Sequence, residues 1–480
     1  MTDVLVIGAG PAGLAAAMAA RASGASVTLL DSSDELGGQY WRHLPASRPS
    51  EREKMLHHGW DHFRSLRAAL GGDPGCTILL GAQVWAIEQG TPLTVHVAVG
   101  DPDGDHRDQL ELRPNAIVFA TGAYDRTLPF PGWDLPGVLT AGAAQALAKG
   151  ERVAIGDRVI VAGAGPFLLP VAASLAHTGS TVIGVYEAST PRSLAEGWLP
   201  QPWQLFRAAK KGTELAGYIT NHLRHRIPYR VGKAVIRANG TDRVESVTIA
   251  SVDRHWTPIP GSEQTIAVDA VAVGHGFTPR LELLIAAGCA LTAGGFAEVA
   301  NDQSTTVSGT FAAGEVTGIG GVDLALAEGT IAGHCAAGGT VNDAAVAAHV
   351  RSRTTYSSFA RRIDAAHGVR DGWPEWLTDD TVICRCEEVS YGELCSTAAA
   401  TDHSSLGSLK LTTRVGLGIC QGRVCGHSVE QLVARMAPAD RAPDPFTSDR
   451  RPIASPIRLG ELAAGASITP VPTQRSTHDQ

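Results

Sequence analysis

Four cysteines in the last quarter of the chain stand in two pairs, Cys384 with Cys386 as C-x-C and Cys420 with Cys425 as C-x₄-C, and 33 residues separate Cys386 from Cys420. Thiolates are soft donors, so four of them in two short pairs suit an iron–sulfur cluster or a tetrahedral zinc ion, with free thiols as the third reading. Gly416, Gly418, Gly422 and Gly426 lie beside the second pair. They leave room for sulfide ligands and free backbone N–H groups to face a cluster's negative charge. Cys76, Cys289 and Cys335 scatter through apolar surroundings and read as small buried hydrophobes. Cys395 is off the pattern and reads as a packing residue in a helix-like segment, 391–400. Eight cysteines in 480 residues are too few for a disulfide-stapled scaffold.

A second chemistry is written at the other end of the chain. Gly8, Gly10 and Gly13 follow G-x-G-x-x-G spacing between an apolar run, 4–7, and an alanine-rich stretch, with Pro11 and Ala12 inside the loop. Each glycine has a mechanical role. Gly8 turns the chain, Gly10 lets the backbone meet a pyrophosphate, and Gly13 lets the helix lie close to the strand. The helix N-terminus then faces the phosphates. A second strand over 25–30 leads to Asp31, eighteen residues past Gly13, where a carboxylate can accept hydrogen bonds from a ribose.

Such a loop works only inside a β-α-β unit, and the sequence predicts two of them. Residues 158–162 form a strand, Gly163-Ala164-Gly165-Pro166-Phe167-Leu168 a second loop, and a helix runs to about residue 177. A strand over 181–186 then ends at Glu187, a second ribose-binding position. Here the third glycine is Leu168, Phe167 crowds the phosphate path, and no arginine cluster follows Glu187 for a 2′-phosphate. The second half is therefore open to three readings: a working NAD(P)H site, an adenine nucleotide held without turnover, or a structural domain.

Further signatures select FAD for the first half. Gly37-Gly38-Gln39, the triplet Ala120-Thr121-Gly122 closing a strand over 117–120, and residues 310–315 ending in Gly314-Glu315 resemble those of the FAD-dependent pyridine-nucleotide-disulfide-oxidoreductase-like superfamily. In that superfamily the late acid approaches the flavin's ribityl and pyrophosphate portion; Glu315 is one methylene longer than the usual aspartate. Residues 269–276 resemble its second closing strand, and His275 within them reads as a solvated or core histidine. The flavin signatures fall on both sides of the second loop, so the second unit is expected to be inserted in the first. No cysteine lies in 39–43 or 166–170, the two places where disulfide reductases of the superfamily carry their dithiol, which excludes dithiol exchange.

The net charge of −8 argues against a nucleic-acid partner. The apolar stretch 4–20 is broken by Gly8, Gly10, Pro11 and Gly13 and so does not read as a membrane span. No signal-like segment precedes the first strand, and a cytoplasmic location is expected. Ser-His-Asp and metal-hydrolase spacings are absent, as is any acid/base pair for substrate activation. Arg361, Arg362 and Arg423 are expected on a solvated face.

C-x-C followed about 33 residues later by a C-x₂₋₄-C-like pair resembles the bacterioferritin-associated-ferredoxin-like [2Fe-2S] domain, whereas zinc sites favour C-x₂₋₄-C on both sides. With both nucleotide halves ahead of it, the chain resembles the flavoprotein α-type subunit of heteromeric bacterial amino-acid dehydrogenases, the group of hydrogen cyanide synthase, opine oxidases and hydroxyproline or proline dehydrogenases. The resemblance runs nearly end to end, through residues 38–42 with Gln39 and Arg42, 131–138, 318–333, 451–453 and 458–462. It implies an FAD-containing amino-acid-oxidase-like β subunit that oxidises the amine, a small ferredoxin-like γ subunit in some complexes, and quinone or oxygen as acceptor. It also leaves room for FMN at a subunit interface and for peripheral attachment at the inner face of the plasma membrane. This chain would relay electrons, since a flavin takes a hydride as a pair and a [2Fe-2S] cluster passes one electron at a time. The alternative is a stand-alone NAD(P)H-dependent FAD/[2Fe-2S] reductase.

The expected architecture is α/β. Two Rossmann-like domains occupy 1–140 with 290–340 (FAD) and 141–289 (NAD(P)-like). A helical connector follows over 341–375, then an α-rich [2Fe-2S] domain over 376–440 and a proline-containing tail over 441–480.

Overall fold

The structure, a computed structural model, describes all residues except 1, 46, 49–52, 105, 204–207, 402–405, 437–446, 452 and 464–480. Much of the expected tail thus lies outside the described residues.

The run Val4–Ile7 has no polar side chain, and all four residues are buried in the middle of a sheet covered on both faces. The strands of this first sheet run in the order Thr310–Ala312, Ala116–Phe119, Val4–Ile7, Val27–Leu30, Cys76–Leu79, all parallel. Helix Pro11–Ala22 starts with proline at its first turn, where a missing N–H costs nothing, and buries a face made largely of alanine. Against that face lies helix Val322–Ala336. A Cβ on Gly329 would stand 2.1 Å from the Ala12 carbonyl oxygen, and one on Gly333 would stand 2.0 Å from that of Ala16. Four residues apart, the two glycines share one helix face, so the helices touch backbone to backbone.

The second sheet repeats the plan in the order Tyr229–Val231, Thr181–Glu187, Arg158–Gly163, Ala270–Gly274, Val138–Thr140, again parallel. The strand Thr310–Ala312 returns to the first sheet only after this unit is complete, so the second half is inserted in the first, as the order of the motifs predicts. Its limits differ from the expected 141 and 289. Val138–Thr140 already pairs with Ala270–Gly274, and Leu281, Leu284 and Cys289 belong to the first half's core because their side chains pack with Val84, Val95 and Phe119. An antiparallel ribbon, Ala123–Asp125 with Phe277–Pro279, joins the halves.

The expected connector is helix Ala347–His367 followed by a 3₁₀ turn, Trp373–Trp376. Trp376 stacks on Trp256 with ring centroids 6.2 Å apart. The cysteine-bearing unit follows: a short antiparallel pair, Val382–Cys384 with Val389–Ser390, and helices Tyr391–Thr401, Leu406–Thr413 and Gly426–Met436. One apolar core runs unbroken from Ile160 and Val271 of the second sheet through Phe130 and Trp133 to Cys384, Cys425 and Val429. Among the described residues no helix is long and apolar enough to cross a membrane.

Candidate functional site

A cleft of about 2680 Å³ opens over the carboxyl ends of both sheets, the place where ligands bind in open α/β folds. Gly8, Gly10, Pro11, Ala12, Asp31, Gly38, Gln39, Arg42, Ala120, Thr121, Gly122, Gly314 and Glu315 all line it. Gly13 lies behind, where a Cβ would meet the Gly8 carbonyl oxygen at 1.7 Å; it lets helix and strand close up. Gly8 has φ +105°, a left-handed conformation open to glycine. Gly10 and Gly38 face each other, with the Gly10 Cα 2.8 Å from where a Gly38 Cβ would stand, so the backbone between them is bare for a pyrophosphate. Asp31 accepts from the N–H groups of Ala9 (2.6 Å) and Ser33 (2.8 Å). A carboxylate accepts about four hydrogen bonds, which leaves two open toward the cleft.

Two acids, Glu328 buried and Glu315 half-buried, fix the far wall. Glu328 accepts from the Gly314 N–H at 2.9 Å and the Thr317 hydroxyl at 2.7 Å, while Glu315 accepts from the Gly321 N–H at 2.9 Å. Burial pushes the pKa of each up to about 7 despite those donors. Helix Ala209–Arg224 closes the cleft from the second half through Lys211, Tyr218 and His222. Lys211 Nζ reaches Asp323 Oδ2 at 2.6 Å across the opening, in the first turn of Val322–Ala336.

The second glycine loop differs in kind. Its helix, Leu168–His177, starts at the residue that replaces the third glycine, and Leu168 is fully buried. Gly165 lines the cleft, but Gly163 and Glu187 do not. Glu187 has no solvent exposure and accepts from the Gly165 N–H (2.9 Å), the Ser189 N–H (3.0 Å) and the Tyr229 hydroxyl (3.0 Å), with His367 Nδ1 at 3.4 Å. Burial pushes its pKa up, but His367 and Ser189 outweigh that and hold it below the ordinary carboxylate value. All four acceptor positions are therefore taken by the protein itself. Phe167 lies edge-on to Phe277 beside the loop, with centroids 4.9 Å apart. His275 is a core histidine, buried among Trp256 and Trp376, with a pKa lowered to about 4 by burial.

The four predicted cysteines come together. Cys384 and Cys425 are buried and Cys386 is exposed. Their thiols are hydrogen-bonded in the order Cys384, Cys425, Cys420, Cys386. Backbone N–H groups of Gly416, Cys386 and Glu387 point at Cys384, and those of Gly422 and Val424 at Cys420. The hydrogen bond from Cys425 is the largest cause that brings the Cys384 thiol down to about 6 and the Cys420 thiol to about 4, while Cys425, the donor to both, is pushed up. Among the described residues no three acidic, histidine or cysteine side chains gather as a site for a metal ion. Cys395 lies in helix Tyr391–Thr401, half-buried beside Tyr391.

One segment, 124–134, runs from the Ala120-Thr121-Gly122 turn to both cysteine pairs. Thr127 Oγ1 donates to the Val424 carbonyl at 2.5 Å, and Ser428 Oγ donates back to the Thr127 carbonyl. Trp133 Nε1 donates to the Val382 carbonyl, and Arg385, between the first two cysteines, lies over the Trp133 ring at 4.8 Å and donates to the Asp134 carbonyl at 3.1 Å. The expectation of a solvated face fails for two arginines. Arg362 is buried, donating to the carbonyls of Trp198 and Gln201. Arg423 is held by Glu282 and Tyr124, each 3.0 Å from its Nε. In both, a buried carbonyl or carboxylate supplies what water would have. Arg361 is exposed as expected. Thr127, Trp133 and Arg423 were not singled out as site residues by sequence; the only signal was a charge placed between two cysteines.

The model of the family described as pyridine nucleotide-disulphide oxidoreductase matches residues 2–332. The chain is 32% identical to an opine oxidase subunit from Rhizobium meliloti, over 96% of this chain and 87% of that one. It is 31% identical to hydrogen cyanide synthase subunit HcnB from Pseudomonas protegens, over 89% and 91%. Among solved structures, L-proline dehydrogenase from P. horikoshii superposes with a TM-score of 0.67 at 21% identity, covering 96% of this chain and 79% of that one.

Proposed function

Because the chain belongs to the pyridine nucleotide-disulphide oxidoreductase family and is a flavin-dependent oxidoreductase related to opine oxidase and hydrogen cyanide synthase subunits, we propose that it is the electron-relay subunit of a heteromeric complex that oxidises an amino acid, imino acid or opine. In this reading FAD lies in the first half, with its pyrophosphate between Gly10 and Gly38 and a ribose on Asp31. Cys384, Cys386, Cys420 and Cys425 hold a [2Fe-2S] cluster. The observation that carries it is the segment 124–134, which leaves the flavin-side turn at Gly122 and grips both cysteine pairs.

The flavin supplies two-electron acceptance and the cluster one-electron transfer. The protein's own residues supply the rest. Glu328 and Thr317 hold the Gly314 turn, Lys211 and Asp323 close the cleft against water, and residues 124–134 fix the spacing of the two sites. The chain offers no acid/base pair for the amine, so substrate chemistry falls to a partner, an FAD-containing β subunit of the amino-acid-oxidase type, with FMN at an interface and a small γ subunit as further components. Quinone or oxygen takes the electrons, at the cytoplasmic side or the inner membrane face. The second half is a structural domain whose ribose acid is self-satisfied.

Anaerobic preparation tests this. The expected result is about one FAD, two irons and two sulfides per chain, with a rhombic signal on one-electron reduction. NADH and NADPH should leave the flavin spectrum unchanged. Zinc in place of iron, or bleaching by either nicotinamide within seconds, overturns the reading, the latter in favour of a self-sufficient reductase.

A further inference from the structure

The loop between Cys420 and Cys425 carries a guanidinium that points away from solvent. Arg423 Nη1 donates to the Cys420 carbonyl at 3.4 Å and to Gln421 Oε1 at 3.0 Å, Nη2 to the Ala454 carbonyl at 2.5 Å, and Nε to Tyr124 and Glu282. A second guanidinium, Arg451, approaches the same Glu282 oxygen at 3.4 Å. Side-chain exposure is 17% for Arg423, 11% for Arg451 and 7% for Glu282, so water screens this group poorly. The neighbouring acid Asp449 is engaged by His427 at 3.3 Å. Two cations thus share one buried carboxylate directly behind the cysteine loop, and Asp449 is the next acid acting on Arg451.

Resting on the cluster assignment above, we infer that Arg423 is a positioning residue that holds the Cys420–Cys425 loop on Tyr124 and, as a fixed and poorly screened cation, raises the reduction potential of the group the cysteines hold. A [2Fe-2S] cluster gains one negative charge when it takes one electron, and a fixed cation nearby stabilises that form. The same contact places this cation between the flavin-side ribbon and the cluster. The direction of relay, from flavin to cluster, is thereby favoured.

The test is a dithionite titration of the intact holoprotein, one electron per cluster, followed by electron paramagnetic resonance, on wild type, Arg423→Gln, Arg423→Lys and Glu282→Gln. Arg423→Gln should keep iron and sulfide but lower the reduced-to-oxidised ratio at a fixed potential about tenfold, equivalent to about 59 mV. Arg423→Lys should restore most of it. Glu282→Gln removes the balancing carboxylate and should move the ratio the other way, which keeps the inference open to refutation even if Arg423→Gln loses its cluster. Equal potentials in wild type and Glu282→Gln, or equal losses in the Gln and Lys variants of Arg423, overturn it. Wild type lacking iron overturns the cluster assignment itself, a separate outcome visible before any variant is made.

Discussion

Glu315 and Glu328 set a pH dependence that can be read from their surroundings. Burial holds each at about 7 in the folded chain against an ordinary 4.5. Between those values the folded form keeps protons that the unfolded form has lost, so stability falls as pH rises from about 4.5 to about 7. Glu328→Gln keeps the shape and an acceptor for Gly314 and Thr317 but cannot ionise. Urea midpoints of the flavin-free chain at pH 5 and pH 8 should differ markedly for wild type and by roughly half as much for the variant; an unchanged slope refutes the assignment. These acids show how far the sequence can be read at this scale. Glycine spacing exposes Gly8, Gly10 and Asp31 because the nucleotide loop is local, and C-x-C and C-x₄-C expose the thiols for the same reason. Glu187 looks as good a ribose acid as Asp31 by position alone. Its saturation depends on Tyr229 and on His367, 180 residues further on, and no local pattern encodes that.

At the scale of elements, the contact of Pro11–Ala22 with Val322–Ala336 is the joint on which the first site depends. Gly329 and Gly333 look like helix weaknesses in sequence, since glycine costs roughly 1 kcal/mol there relative to alanine. They are required because a methyl would enter the Ala12 and Ala16 carbonyls. Gly329→Ala should therefore destabilise the chain by about 1–3 kcal/mol, despite the better helix propensity, and weaken flavin retention, measured by thermal unfolding and by flavin released on dilution. Unaltered melting would mean that the two helices can part at no cost. Sequence places the helix after Gly13 but not Val322–Ala336, and it cannot reveal their contact, which joins residues more than three hundred positions apart. The displaced limits of the second half have the same origin: strand Val138–Thr140 is short, and only its pairing with Ala270–Gly274 assigns it to the second sheet.

Over the whole molecule, three units meet at one cleft, and helix Ala209–Arg224 is its cover. Leu215, Ile219 and Leu223 line the cleft yet stay exposed, and Lys211 on the same face ties the helix to Asp323. Lys211→Met should speed flavin exchange several-fold, followed by fluorescence as bound flavin is displaced; an exchange rate equal to wild type would show that the ion pair does not govern the opening. The α/β class, the insertion and the separate cysteine unit all follow from motif order. The merging of second sheet and cysteine unit into one core does not, because Phe130, Trp133, Trp256 and Trp376 are ordinary apolar residues until the tertiary contacts join them.

The insertion also imposes a schedule on synthesis. Ala116–Phe119 keeps a bare edge until Thr310–Ala312 arrives about 190 residues later, roughly 10–40 s at ribosomal rates. Throughout that interval the nascent polypeptide presents an unfinished nucleotide fold, so cofactor capture must await a strand that is made only when about two-thirds of the 480 residues are joined.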